Sequence, residues 1–450
     1  MQNGFLLGVS VGEAFAEYCL MQGSTTVATK RAYTSRESLK NSLQQFVANH
    51  TDKKISKAAV SLRVSEKLMD FKLHGAVAHV TTLGFENWLN LNEGSLLSLT
   101  SSNLQFGLRE RLQADGSVSI DLTTDELESL AEKLKQAEVK KVCLHLLHAS
   151  RNPVHEVKAA EFLREKNFEV FVPEKTDNAD EVSRWNKNAL NAIIGNLFLD
   201  LKKNIEAALQ DVIPSENIYY LTAQGEFTQD LSQSVSCLAA GTTAMAMNLR
   251  EKSDVLYLGL ENFVLISGQC WNIHWQSSWG SLENKQISFR ELAIQPTQEI
   301  SLNAFQHFDF GKDSEGWEPG PMFLGRGHKG MLLDLWAEDA RLSQVDGFGD
   351  RQSPVGVQRF KNSLRALAKV SHSQEKEPAN IISELQHLAQ HKVALEALLF
   401  RQHEKILVTG PLANLFEPSF KKDAGKISIK VDDFAMSRSL ALLGQSLLKG

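Results

Sequence analysis

Residues 5–20, FLLGVSVGEAFAEYCL, are two apolar runs joined by a glycine-containing turn. The runs at 5–9 and 15–20 predict strands, with Gly12 and Glu13 turning between them. Such a turn can aim successive backbone N–H groups at an anion, because glycine has no Cβ to block the approach. Gly8, Gly12 and Phe15 keep the backbone pattern of an anion-binding hairpin. The side chains that would complete the chemistry differ. Ser10 brings no charge to a metal, and Glu13 pushes a carboxylate toward the anion's place. At a few ångströms that repulsion is of order ~1–4 kcal/mol, depending on exposure.

Outward from this hairpin, residues 26–32 predict a third strand. Residues 35–49 predict an amphipathic helix, with Ser35 as cap and Leu39, Leu43, Phe46 and Val47 on one face. Apolar strands are predicted at 57–63, 76–81, 141–147 and 168–172. Helices are predicted at 123–137, 153–166 and 182–209. Alternating strands and helices argue an α/β domain with a largely parallel sheet. The opening order then recurs: strands at 255–258, 263–267 and 270–275 form a second meander, followed by a helix at 381–399 and a strand at 405–408. Between them, 338–380 is polar with weak periodicity and reads as loops or an insertion.

The bulk composition sets limits. The chain has 450 residues, 42% hydrophobic and 23% charged, with a formal net charge of -6. That length suits two or three domains. No long basic run supports nucleic-acid binding. Cys19, Cys143, Cys237 and Cys270 are far apart, with no CxxC, as expected of reduced thiols in a cytoplasmic protein. No stretch reaches the ~20 apolar residues of a membrane span, and no leader peptide is read at the start.

Several segments, in order, resemble the hydantoinase A, 5-oxoprolinase and acetone carboxylase β-subunit family. Residues 77–91, VAHVTTLGFENWLNL, are similar to its VALVTTKGFRDVLEI. Residues 106–116, FGLRERLQADG, resemble its ERVDADG segment, and 146–156, LLHASRNPVHE, its FLHSYxNPxHE. Residues 236–241, SCLAAG, resemble SGPAAG. Residues 315–327, EGWEPGPMFLGRG, resemble GADPGPACYGRG, with Asp334 on the Asp of the following TDA. Residues 406–416, ILVTGPLANLF, resemble the strand-to-helix turn that holds adenosine in this fold, with Pro411 where a second Gly is usual. The resemblance implies a two-lobed actin-like ATPase (duplicated ribonuclease H-like) core with nucleotide between the lobes. The family couples ATP cleavage to opening a cyclic amide or carboxylating a ketone.

The departures fall on the chemistry. The family's D-x-G-G-T hairpin has become Ser10, Gly12, Glu13 and Ala14. Its HGTTVATN turn corresponds to residues 60–67, VSLRVSEK, and its DMGGTSTD hairpin to 257–262, YLGLEN, which keeps only Gly259. MQSNGG has become 221–226, LTAQGE, and GAGGGS has become 295–301, QPTQEIS. By resemblance the nucleotide positions are Ser10, Gly12, Glu13, Gly241, Gly259, Thr409 and Gly410. His148, His155 and Asp334 are the candidate metal ligands, although His148 and His155 belong to a motif that also suits loop anchoring. Glu13 and Glu17 are the rival metal carboxylates. Arg184 reads as an interlobe ion pair, and Trp271, Trp275 and Trp279, spaced by four, as one face of a strand.

The expectation is an α/β chain with a hydantoinase/oxoprolinase-like lobe over 1–180 and a hydantoinase A-like lobe over 181–450, carrying an insertion near 338–380. It is expected to be a degenerate, non-catalytic binding or scaffold protein without a cofactor. Alternatives are a divergent ATP–Mg-dependent hydrolase of a hydantoin or 5-oxoproline type of cyclic amide, and a nucleotide sensor at Thr409 and Gly410. The resemblance implies a protein partner of the hydantoinase B type, or self-association, with neither nucleic acid nor membrane as partner.

Overall fold

The computed structural model describes residues 4–34, 37–63, 77–90, 101–174, 181–231, 237, 240–248, 253–267, 273–277, 280–284, 288–314, 316–348, 352–371, 376–420 and 427–448. Cys270, Trp271, Trp279, Ser35, Ser236 and part of the 60–67 turn lie outside them.

The first hairpin is β1 (Phe5–Val11) and β2 (Phe15–Gln22), followed by β3 (Thr25–Tyr33). These pair antiparallel. β4 (Ile55–Leu62) and β11 (Ile218–Leu221) add parallel on the other side of β1, and β12 (Phe227–Thr228) ends the sheet. The order is β12-β11-β4-β1-β2-β3. Strand periodicity sorts the two faces. Leu7, Val9 and Val11 enter one core with helices α1 (Leu39–Ala48) and α4 (Glu181–Leu209), while Leu6, Cys19 and Met21 enter another. Ser38 caps α1, accepting from the Asn41 N–H at 3.2 Å, so the helix starts four residues later than its sequence pattern suggested.

Four parallel strands form a sheet of their own, ordered β10-β9-β5-β6: β5 (Val77–Thr82), β6 (Gln105–Leu108), β9 (Lys141–His145) and β10 (Glu169–Phe171). A small ribbon, β7 (Arg111–Leu112) with β8 (Val118–Ile120), lies between β6 and helix α2 (Thr124–Gln136). Thr123 caps α2; Asp125 and Glu126 at its start and Lys133 and Lys135 at its end oppose the helix dipole. Leu127, Leu130 and Leu134 of α2 share a core with Ala159, Ala160 and Leu163 of α3 (Val154–Glu165).

The second large sheet repeats the order of the first. β13 (Asp254–Leu258) and β14 (Phe263–Ser267) are antiparallel, and β20 (Ile406–Thr409) and β21 (Ile427–Ile429) add parallel to β13. The third strand is not 270–275. Residues Ile273–Ser277 (β15) pair with Gly280–Asn284 (β16) in a separate ribbon, and β17 (Ser288–Glu291) returns to pair with β14. The sheet reads β17-β14-β13-β20-β21, matching β3-β2-β1-β4-β11 strand for strand. The fold is the duplicated, two-lobed α/β core. β18 (Gln298–Leu302) and β19 (Phe308–Ser314) form a further ribbon.

Helices complete the second lobe: α5 (Ala240–Asn248), the short α6 (Ala340–Ser343), α7 (Pro354–Ala368), α8 (Pro378–Phe400), α9 (Ala413–Phe420) and α10 (Ala435–Gly444). The polar stretch read as loops therefore contains α7. Ser353 caps it, Pro354 opens it, and Phe360, Leu364 and Ala368 bury one stripe. The last helix, α10, crosses back to the first lobe. Leu440 and Ala441 pack on Leu6, Cys19 and Ala59, and a Cβ on Gly8 would lie 2.3 Å from the Ser437 carbonyl oxygen.

Two core histidines join the parallel sheet to α4. His79 and His145 have Nδ1 atoms 2.8 Å apart, Trp185 stacks on His145, and the Asn188 amide donates to His145 Nε2 at 3.0 Å. One Nδ1 donates and the other accepts, which suits two neutral rings. Burial holds His79 down at about 4, and holds His145 well below its ordinary value. The unfolded chain therefore takes up protons before the folded one. Stability should be flat above about pH 6.5 and fall as pH drops toward about 4. A displacement of that size is worth roughly 3 kcal/mol for His79. Thermal unfolding across this range measures it, and His79→Leu should flatten the fall.

Candidate functional site

The turn between β1 and β2 is an anion nest, and the chain fills it with its own carboxylate. Backbone N–H groups of Glu13, Ala14 and Phe15 donate to the two oxygens of Glu261 at 3.0, 2.7 and 2.9 Å. Glu261 stands in the β13–β14 turn, so the second lobe's hairpin reaches into the first. Arg63, just past β4, adds a guanidinium N–H at 3.0 Å. Gly12 leaves room for this seating: a Cβ would sit 2.3 Å from a Glu261 oxygen. Successive N–H groups plus a guanidinium are the usual donors to a bound anion.

Behind the nest lies a cavity of about 40 Å3. Ser10, Glu17, Ser61, Thr242, Tyr257 and Asn262 line part of it. Ser61 donates to Ser10 at 3.1 Å. Glu17 is buried, and Arg31 donates twice to its Oε1, at 3.0 and 2.8 Å. Burial pushes the Glu17 carboxyl up, and Arg31 pulls it back. Arg31 is also tied to the second half of the chain: its N–H donates to Asp346 at 2.7 Å, and its guanidinium donates to the Asp346 and Asp433 carbonyls.

Beside the cavity the lobes share one apolar core. Ala14, Phe15 and Tyr33 of the first lobe belong to the core of the second. Phe15 stacks on Tyr33 at 5.1 Å and meets Trp317 edge-on at 4.7 Å, and Trp317 stacks on Phe348 at 5.7 Å. The Tyr33 hydroxyl donates to the Trp317 carbonyl.

The positions taken from the sequence divide into two groups. Ser10, Gly12 and Gly241 line the cavity, with Glu13 contributing its N–H to the nest. Gly259, Thr409 and Gly410 are not part of the lining. A Cβ on Gly241 would lie 2.4 Å from the Met436 sulfur, one on Gly259 2.4 Å from the Tyr257 ring, and one on Gly410 2.6 Å from the Leu258 carbonyl. Gly410 has φ +106°, which favours glycine, and its turn folds onto β13, where the Leu412 N–H donates to Leu258. Glu261, Arg63 and Ser61 were missed as partners. An acidic residue in the shortened Gly259–Leu260–Glu261–Asn262 turn was the available signal.

His148, His155 and Asp334 each have structural partners. His155 bridges Glu110 at 2.7 Å and Asp121 at 3.1 Å; Glu110 also accepts from Thr82, which takes the Leu147 N–H. The His148 backbone N–H, rather than its ring, donates to Glu181. Asp334 accepts from the N–H groups of Met322, Phe323 and Met331, while burial pushes its carboxyl up to about 7. Among the described residues, no three His, Cys, Asp or Glu side chains are grouped to hold a metal ion. Arg184 pairs locally with Glu181 and the Glu174 carbonyl rather than across the lobes. Trp275 lies on β15. Among the described residues, no helix is long and apolar enough to cross a membrane.

Comparison with known proteins agrees with this fold. Residues 6–167 match the model of the hydantoinase/oxoprolinase N-terminal region. Over those residues the chain is similar to that region. An uncharacterised protein of Methanocaldococcus jannaschii is 27% identical over 124 residues, which are 27% of this chain and 18% of that protein. A nucleotide-free acetone carboxylase structure, from work on ATP-dependent acetone carboxylation, superposes with a TM-score of 0.76 at 14% identity. It covers 99% of this chain and 70% of the other. The ATP-dependent caprolactamase of Pseudomonas jessenii gives 0.72 at 15%, covering 98% and 70%. At those identities the two structures establish the fold alone.

The nest makes a direct prediction. Glu261→Ala leaves three N–H groups and Arg63 without their anion and should destabilise the protein by about 2–4 kcal/mol. Inorganic phosphate or sulfate at millimolar concentration should restore part of the loss in the variant and leave wild type unchanged. Thermal unfolding with and without the anion, at matched ionic strength, is the measurement. Equal anion effects on both proteins would refute the nest.

Proposed function

We propose that this chain is a non-catalytic binding or scaffold protein built on the hydantoinase/oxoprolinase core, its interlobe cleft closed by its own Glu261. The seating of that carboxylate on the Glu13, Ala14 and Phe15 N–H groups carries the reading. A nucleotide's phosphates entering this hairpin would have to expel Glu261 and then face the Glu13 carboxylate. Expelling a hydrogen-bonded, nearly buried carboxylate costs about 2–4 kcal/mol, which lowers affinity by roughly two orders of magnitude. The cavity of about 40 Å3 is far below the ~300 Å3 typical of small-molecule sites.

The alternative metal carboxylates do not favour turnover. Glu17 is held by Arg31, and Glu13 contributes its backbone to the nest. Phosphoryl transfer depends on charge aligned in advance. At the first hairpin that alignment is taken up by an internal ion pair. Thr409 and Gly410, the sensor positions, pack onto β13. Any nucleotide contact there would have to form over a turn whose close approach is already explained by protein. The partner expected from the family resemblance, a hydantoinase B-type subunit, or a second copy of this chain, is the kind of occupant a scaffold would serve.

A coupled assay with ATP and Mg²⁺ should give hydrolysis no faster than background, and calorimetry should find ADP binding no tighter than about millimolar. Turnover that Glu17→Ala abolishes would establish the divergent hydrolase instead. Micromolar ADP binding lost in Gly410→Trp would establish the sensor.

A further inference from the structure

A second cleft lies away from the lobes' junction. It has a volume of about 660 Å3 and lies along β10, the middle of α4 and residues 229–231. Its lining shares no residue with the interlobe cavity. Along α4, positions 188, 191, 195, 196, 199 and 202 face it, one stripe of a helix at spacings of three and four. Such a stripe is normally apolar where it is buried. Here it carries Asn188 and Asn191, only 4% and 3% exposed.

Gly195 is the second observation. It sits inside a 29-residue helix, where alanine is the better residue. A Cβ there would meet nothing within 4 Å. Gly8, Gly12, Gly241 and Gly410 each have a protein atom that explains the missing side chain; Gly195 faces open cleft. A glycine that no neighbour requires, on a helix face of carboxamides, lets something other than this protein approach the backbone.

The chemistry of the wall selects the ligand. The Asn188 amide donates to His145 and to the Phe171 carbonyl, and among the described residues no donor reaches its Oδ1. Asn196 adds a further carboxamide, and so does Gln229, whose amide donates to the Glu216 carbonyl and leaves its Oε1 to accept. Among the described lining residues the one cation is Lys202, which donates to the Gln229 backbone carbonyl at 2.9 Å and lies 3.9 Å from Glu206. With Glu169 and Asp230 also in the lining, formal charge there is not positive, which disfavours an anion. Carboxamides both donate and accept, matching a neutral amide. We infer that this cleft binds a small uncharged amide, of the size of a short capped peptide, seated over Gly195. The site is independent of the proposed function: an active ATPase would leave it standing.

Saturation-transfer NMR on the full chain tests it, with N-acetyl-diglycinamide as probe and its free acid as the charge control. The amide should bind with millimolar affinity or better, and the acid at least about tenfold more weakly. Gly195→Leu, which fills the cleft, should abolish the signal. Gly195→Ala should unfold at the same temperature or about 1–3 °C higher. Asn196→Trp, at an exposed helix position, blocks the same opening and should weaken binding if Gly195→Leu fails to fold. No transfer to the amide, equal transfer to the acid, or undiminished transfer in the blocking variant would overturn the site.

Discussion

One carboxylate bridging two hairpins organises the interlobe face. Glu261 satisfies three backbone N–H groups that would otherwise be aimed at nothing, and Arg63 balances its charge. Buried N–H groups without partners are costly, so a turn that presents three of them needs an anion, and here the protein supplies it. Once the turn is held against the second lobe, Phe15 and Tyr33 reach Trp317 and Phe348, and a shared core replaces an open cleft. Arg31 adds a second tie through Glu17, Asp346 and Asp433. The polar lock and the aromatic core depend on each other: water entering at either would weaken the charge pairing of the first.

The glycines tell the same story from the backbone. Gly12 accommodates Glu261, Gly241 accommodates Met436, and Gly410 accommodates the end of β13. The approach at Gly410 is to backbone and excludes a side chain, whereas those at Gly12 and Gly241 are to the ends of the Glu261 and Met436 side chains. Contacts within the protein thus account for each of these glycines.

The fold was largely legible in the sequence because its strands are long, apolar and bounded by turns. The runs at β1, β2 and β3, their recurrence at β13 and β14, and the stripes of α2 and α8 follow directly from periodicity. The third strand of the second sheet was misplaced because a ribbon, β15 with β16, interrupts the meander, and an edge ribbon carries the same local pattern as a sheet strand. Helix α7 was missed because Phe360, Leu364 and Ala368 form a narrow stripe diluted by polar neighbours. At the site, the departure of Ser10 and Ala14 from the resembled hairpin was visible, but the seating of Glu261 was not. That contact spans 248 positions for Glu13. Local sequence reports which groups have gone; only tertiary structure reports what took their place. The Asn188–Lys202 stripe was read simply as part of a long helix rich in Asn, Ala and Leu.

The last helix lies against the first strands. Leu440 and Ala441 of α10 cover Leu6, Cys19 and Ala59, and Gly8 lets the Ser437 carbonyl close on β1. During synthesis, then, one face of the first sheet stays uncovered until Ala435–Gly444 has left the ribosome. Non-local closure of this kind slows folding, because the loop entropy is lost before the contact forms. In the interval an apolar sheet face with no lid is open to wrong partners, so the nascent chain is exposed to aggregation at β1 and β2.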